Sequence, residues 1–125
     1  MLRLGDTFLA GSEDAPLHLW VVVTPPARGE VVVVIITTRR ARSETLVTLR
    51  SGDHPFIQHD SVVAYAYAAI QQVEAIERAL ESGRAIRREP LAPELLARVQ
   101  AGLLDSDRTP NQVRAYCRCV LGAPG

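Results

Sequence analysis

Eight β-branched residues stand in an unbroken row from Val31 to Thr38 (VVVVIITT), and that row decides most of what this chain can fold into. Two heavy atoms on each Cβ crowd a helical turn but pack well on a pleated surface, so the row reads as a strand over Glu30–Thr38. Successive strand residues face opposite sides of a sheet. An apolar side chain at every position from Val31 to Ile36, rather than at every second one, therefore demands cover on both faces. Such a strand belongs at the centre of its sheet.

The flanking sequence supplies neighbours for it. Leu17–Thr24 (LHLWVVVT) is a second strand candidate, and Pro25, Pro26 and Gly29 between the two are turn chemistry for a hairpin. Asp6–Leu9, Glu44–Arg50 (ETLVTLR) and Ser61–Tyr67 (SVVAYAY) complete a set of five, spaced closely enough to favour antiparallel pairing. In the last of these, Val63, Tyr65 and Tyr67 alternate with Val62, Ala64 and Ala66. From Gln71 the apolar period becomes helical. Val73, Ile76 and Leu80 share one face, Glu74 and Arg78 are spaced for an i,i+4 pair, and Gly83 is a natural stop. A second helix is expected over Ala92–Leu104 with Pro93 in its first turn, and a third after Thr109 as N-cap with Pro110 at the first helical position. The class is α+β, mainly β: a small, curled antiparallel sheet closed by helices.

At 125 residues the chain fits one domain, residues 1–125, and a chain of this size buries about two-thirds of its unfolded surface without staples. No apolar stretch approaches the roughly 20 residues that span a bilayer, so no membrane role is expected. The N-terminal MLRLGDTFLAG has neither a basic leader nor a long apolar core, which makes the cytoplasm the expected address. All 14 basic residues are Arg, balanced by 14 Asp and Glu. Zero net charge excludes long-range steering toward nucleic acid and leaves that role to a local patch. Arg39, Arg40 and Arg42 form one Arg cluster, and Arg84, Arg87 and Arg88 another. Guanidinium groups suit two-pronged contact with phosphate. Cys117 and Cys119, two apart on an expected helix, point about 200° from each other and do not form a disulfide or a shared metal site.

The stretch RSGDHPFIQHDS, residues 50–61, holds two of the three histidines, His54 and His59, with Asp53 and Asp60. Histidine both takes and gives a proton near neutrality, so such a pair suits acid–base work. It equally suits a structural connection, with Gly52 taking an awkward φ, Asp53 bonding the backbone and Pro55 stiffening the path. No zinc pattern, phosphate-binding glycine loop or nucleophile elbow is present, and no cofactor is implied. Trp20, Tyr65 and Tyr67 are the few aromatics that offer a stacking platform for bases.

The order of these features resembles the PemK/MazF-like toxins of bacterial toxin–antitoxin pairs. The resemblance rests on Gly5-Asp6, the Val-rich second strand, the long third strand ending Ile36-Thr37, the leucine-bearing fourth strand, the short polar loop and Ser61-Val62-Val63, and it covers residues 5 to 105. It implies an SH3-like barrel with added helices, metal-independent cleavage of single-stranded RNA, a homodimer, and an antitoxin protein as partner. The family's catalytic threonine falls on Thr37, with Thr38 beside it. Its Arg-Pro pair at the start of the second strand falls on His18-Leu19, so the usual arginine is missing and His18 occupies its place.

Metal-free RNA cleavage needs a base for the 2′-hydroxyl, an acid for the leaving 5′-oxygen, and donors or cations for the phosphoryl oxygens. The division of labour expected here gives acid and base to His18, His54 and His59, with Asp60 orienting a histidine. Thr37 or Thr38 is the donor, and Arg39, Arg40 or Arg42 the phosphate clamp. The absent Arg-Pro leaves a second possibility, a non-catalytic barrel that binds an antitoxin peptide or RNA. A small accessory protein with an incidental polar loop is the third.

Overall fold

In the computed structural model of the chain the described residues are 1–12 and 15–121. Six strands run β1 (Thr7–Ser12), β2 (Ala15–Val22), β3 (Glu30–Thr38), β4 (Thr48–Leu49), β5 (Ser61–Gln72) and β6 (Ala85–Arg88). Helices α1 (Val73–Ser82), α2 (Pro93–Asp105) and α3 (Asn111–Val120) complete the chain order. All strand pairs are antiparallel, in one curled sheet of order β4-β5-β3-β2-β1-β6. The β-branched row of β3 lies inside that sheet, between β5 and β2.

Both faces of β3 are covered, as its composition demands. Val32, Val34 and Ile36 pack with Val99 and Leu103 of α2 and with Val113 and Cys117 of α3. Val31 and Val33 face the opposite way, into a cluster with Leu2, Phe8 and Ile76 of α1. Val31 to Val34 are each 0% exposed. At about 1.5–3 kcal/mol for each fully buried aliphatic side chain, this one strand is a major source of the fold's stability.

The Gly5-Asp6 pair fastens the sheet's start to its far edge. Gly5, at φ +89, donates its N–H to Val22 O (2.8 Å) and accepts from Leu91 N (2.9 Å). The buried carboxylate of Asp6 accepts from Arg3 N (2.8 Å) and from Arg87 Nη1 (2.7 Å). Arg87 belongs to β6, a strand the sequence pattern does not announce: three of its four residues are exposed, and two are Arg. The left-handed turn at Gly83 (φ +81) ends α1 and sends the chain back along β1.

The first two expected strands shift by up to three residues at an end, to Thr7–Ser12 and Ala15–Val22, and two others differ more in extent. Glu44–Arg50 contributes only Thr48–Leu49 to the sheet, and Glu44, outside it, accepts a hydrogen bond from the Ser106 hydroxyl after α2. β5 runs past Tyr67 to Gln72 by way of a bulge: the two steps from Val33 to Ile35 on β3 are matched by the five from Ala69 to Ala64 on β5. The bend separates the two tyrosines. Tyr65 is fully buried with its hydroxyl donating to Val99 O (2.8 Å), whereas Tyr67 is 68% exposed. Thr109 does not cap α3; its hydroxyl donates back to Leu103 O (2.8 Å), tying the α2–α3 connection to α2, and Pro110 takes the cap position.

Candidate functional site

One end of the sheet opens into a groove of about 580 Å³. The β2–β3 register, with Leu19 opposite Ile36, brings His18 and Thr37 to adjoining positions at that end, and the β3–β5 register sets Thr38 opposite Ser61. His18, Thr37, Thr38 and Arg40 line one side of the groove. The segment from Pro55 to His59 folds over to form another wall, and Arg88 and Glu89, at the end of β6, close it. Residues separated by up to 72 positions, from Leu17 to Glu89, thus meet around one opening.

A second, shallower concavity of about 630 Å³ adjoins it, lined by Thr38, Arg39, Arg40, His59 and Asp60. Thr38, Arg40 and His59 belong to both, so the two form one continuous surface. Backbone pairing continues one step past β3 here, with Arg39 N donating to Asp60 O (2.9 Å).

The two histidines of the 50–61 stretch have different fates. His59 is exposed at the junction of the two concavities. His54 is 2% exposed and lines neither. Its Nε2 lies 2.6 Å from Glu89 O, a carbonyl that only accepts, so Nε2 carries the proton; Nδ1 is then free to accept from Phe56 N (3.0 Å). Both ring nitrogens are occupied, and the expected acid–base role of His54 gives way to an anchoring one. The anchor joins two groove walls: Thr7 Oγ1 also donates to Glu89 O (2.7 Å), and Ile57 N to His54 O (2.9 Å).

Other expected roles are redistributed by the same geometry. The Asp60 carboxylate hydrogen-bonds no histidine among the described residues, so it is no orienter here. Arg42 sits on the exposed turn closed by Ser43 N to Arg40 O (3.1 Å) and lines neither concavity. The aromatic platform does not assemble. Trp20 stacks on Phe8 (centroids 6.2 Å, planes 3° apart) and donates to Ala10 O, and Tyr65 is in the core, where burial pushes its hydroxyl pKa up. Phe56, 41% exposed on the groove wall, is the aromatic that the groove presents. Neither it nor Glu89 stands out in sequence; the second Arg cluster signals Arg88, but without β6 gives it no place. Among the described residues no three His, Cys, Asp or Glu side chains gather as a metal-holding group, and no helix is long and apolar enough to cross a membrane.

No protein-family model matches the sequence, and no curated protein matches it either. Among solved structures, a chain of the MazE–MazF crystal structure (form III) from Deinococcus radiodurans matches with a TM-score of 0.55, covering 83% of this chain and 94% of that one at 14% identity. The fold is MazF-like. At that identity the likeness speaks for the fold alone, so the residues of this chain are read from its own geometry. His18-Leu19 stands at the β2 end of the groove, and the guanidinium groups on its lining belong to Arg40 and Arg88.

Proposed function

We propose that the protein is a toxin-type endoribonuclease of the PemK/MazF-like superfamily, a divergent branch of it, that cleaves single-stranded RNA without a metal ion in the cytoplasm. The observation that supports this most is the meeting of His18, Thr37, His59, Arg40 and Arg88 around one groove on a MazF-like sheet. In this reading one histidine takes the proton of a ribose 2′-hydroxyl, O2′ attacks phosphorus, and the P–O5′ bond breaks as the other histidine protonates O5′. The products are a 2′,3′-cyclic phosphate and a 5′-hydroxyl. The Thr37 hydroxyl donates to a non-bridging oxygen, and Arg40 and Arg88 neutralise charge that develops there. An antitoxin protein lying in the groove would block it, as the MazE–MazF pairing of the structural neighbour suggests, and the active form is a homodimer.

The test is cleavage of a long single-stranded RNA in EDTA by the purified protein and by His18→Ala, His59→Ala and Thr37→Ala variants. Removal of either histidine should slow cleavage by about 10²–10⁴-fold. Cleavage that survives all three substitutions at the parent rate refutes the site.

The absence of Arg-Pro favours a second reading, a groove that binds RNA or an antitoxin peptide without cutting. Exposed Leu17 and Phe56 on its walls give apolar contact for a peptide. RNA binding that weakens with salt, with no cleavage in any condition, is the outcome that favours it.

A further inference from the structure

The shallow concavity beside the groove has a chemistry of its own. Arg39 and Asp60 stand opposite each other where β3 and β5 run out, fixed by Arg39 N to Asp60 O at 2.9 Å. Directly opposed residues in an antiparallel pair present their side chains on the same face, with Cβ atoms about 5 Å apart. Both side chains are exposed and both line the concavity, yet they form no ion pair with each other, and neither is hydrogen-bonded to any described residue. The backbone pairing thus sets a guanidinium and a carboxylate side by side with both heads open to solvent. Thr38 forms the remaining wall with Arg40 and His59, two residues that the proposed ribonuclease site uses.

We infer that Arg39 and Asp60 form a base-reading subsite selective for guanine, next to the phosphate that the groove would hold. The inference rests on the reading of the groove as an RNA site. Guanine matches this pair in order along its edge. Its N1–H and N2–H donate to the two oxygens of a carboxylate, and the adjacent O6 and N7 accept from the fork of a guanidinium. The other bases match it less well. Adenine turns the lone pair of N1 toward the carboxylate. Cytosine offers one amino group beside two acceptors, and uracil a single N–H. Asp60, which orients no histidine, thereby gains a role in choosing the substrate, and Arg39 contacts a base rather than a phosphate.

Binding is measured by fluorescence anisotropy with labelled 2′-O-methyl pentamers, which lack the attacking hydroxyl: UUGUU, UUAUU, UUCUU, UUUUU, and UUIUU with inosine, which lacks the N2 amino group. The expected result is that UUGUU binds about tenfold more tightly than the A, C and U pentamers, with inosine between. Asp60→Asn and Arg39→Gln should each shrink that preference to within about threefold, whatever they do to overall affinity, since one bidentate contact is lost. Equal affinity for all five pentamers, or a guanine preference that survives both substitutions, overturns the inference. Cleavage of RNA without base preference in binding sinks the subsite and leaves the ribonuclease reading intact. A guanine preference in a protein that does not cut supports the subsite and removes the ribonuclease reading.

Discussion

Replacing His54 separates an anchor from a catalyst. The buried imidazole donates to Glu89 O at 2.6 Å and accepts from Phe56 N at 3.0 Å, and so ties the loop wall of the groove to the end of β6. Each such bond contributes about 0.5–1.5 kcal/mol net, and a buried group left without its partner costs about 1–3 kcal/mol. His54→Ala removes both bonds and the packing of the ring, and should lower unfolding stability by about 2–4 kcal/mol. Two conservative variants divide the loss. Asn places an oxygen near the position of Nδ1 and keeps the bond from Phe56, whereas Gln reaches toward Glu89 O and keeps the other. Each should cost roughly half as much as Ala. Urea denaturation followed by far-UV circular dichroism reads the effect: with m at about 2 kcal/mol/M, His54→Ala moves the midpoint down by about 1–2 M. His59→Ala, at an exposed position, should leave stability within about 0.5 kcal/mol while cleavage falls. If His54→Ala proves as stable as the parent but inactive, the anchoring argument is wrong and the ring works in the chemistry.

Further expectations concern the core. A Cβ added at Gly102 would lie 2.2 Å from the Tyr65 hydroxyl and 2.7 Å from Val47, so Gly102→Ala should destabilise by about 1–3 kcal/mol, measured as a fall in Tm. Adding Tyr65→Phe should return part of that loss, and a Gly102→Ala protein as stable as the parent would refute the packing described around Tyr65. Burial pushes the Cys117 thiol from 9.0 up to about 11. The unfolded chain therefore ionises at lower pH than the folded one, so the contribution of this group to stability is whole below pH 9.0 and is lost progressively as pH rises to about 11. A thiol reagent at neutral pH should label only the exposed Cys119 in the native protein, and both cysteines once it is unfolded.

What could be read from the sequence follows the physics of each segment. The β3 strand was legible to its ends because eight β-branched residues admit one conformation and one place, buried on two faces. The helices α2 and α3 were also legible, and the apolar residues that recur at helical spacing in them, Val99, Leu103, Val113 and Cys117, reach the core. β6 was hidden, since a short edge strand needs little apolar character, and its Arg87 owes its place to a partner 81 residues away. β4 is shorter than its alternation suggests, and Glu44 meets a hydroxyl on a distant connection, which no local pattern reports. The same holds for the site. His18 and Thr37 were singled out by the family resemblance, and pairing register keeps their positions together. His54 and His59 look alike in sequence, and only the fold, which turns one ring toward Glu89 and leaves the other at the groove, gives them different work.

The central claim is attack by a ribose hydroxyl in the groove, and a single-atom change in the substrate tests it. After the preferred cut is mapped on an all-ribose oligonucleotide, the same sequence is made with one 2′-deoxy residue on the 5′ side of that bond, and both are incubated with the protein in EDTA. The account predicts that the ribose substrate yields 2′,3′-cyclic phosphate and 5′-hydroxyl ends and that the deoxy substrate stays intact at that bond. Cutting of the deoxy substrate at the same place and rate would contradict it.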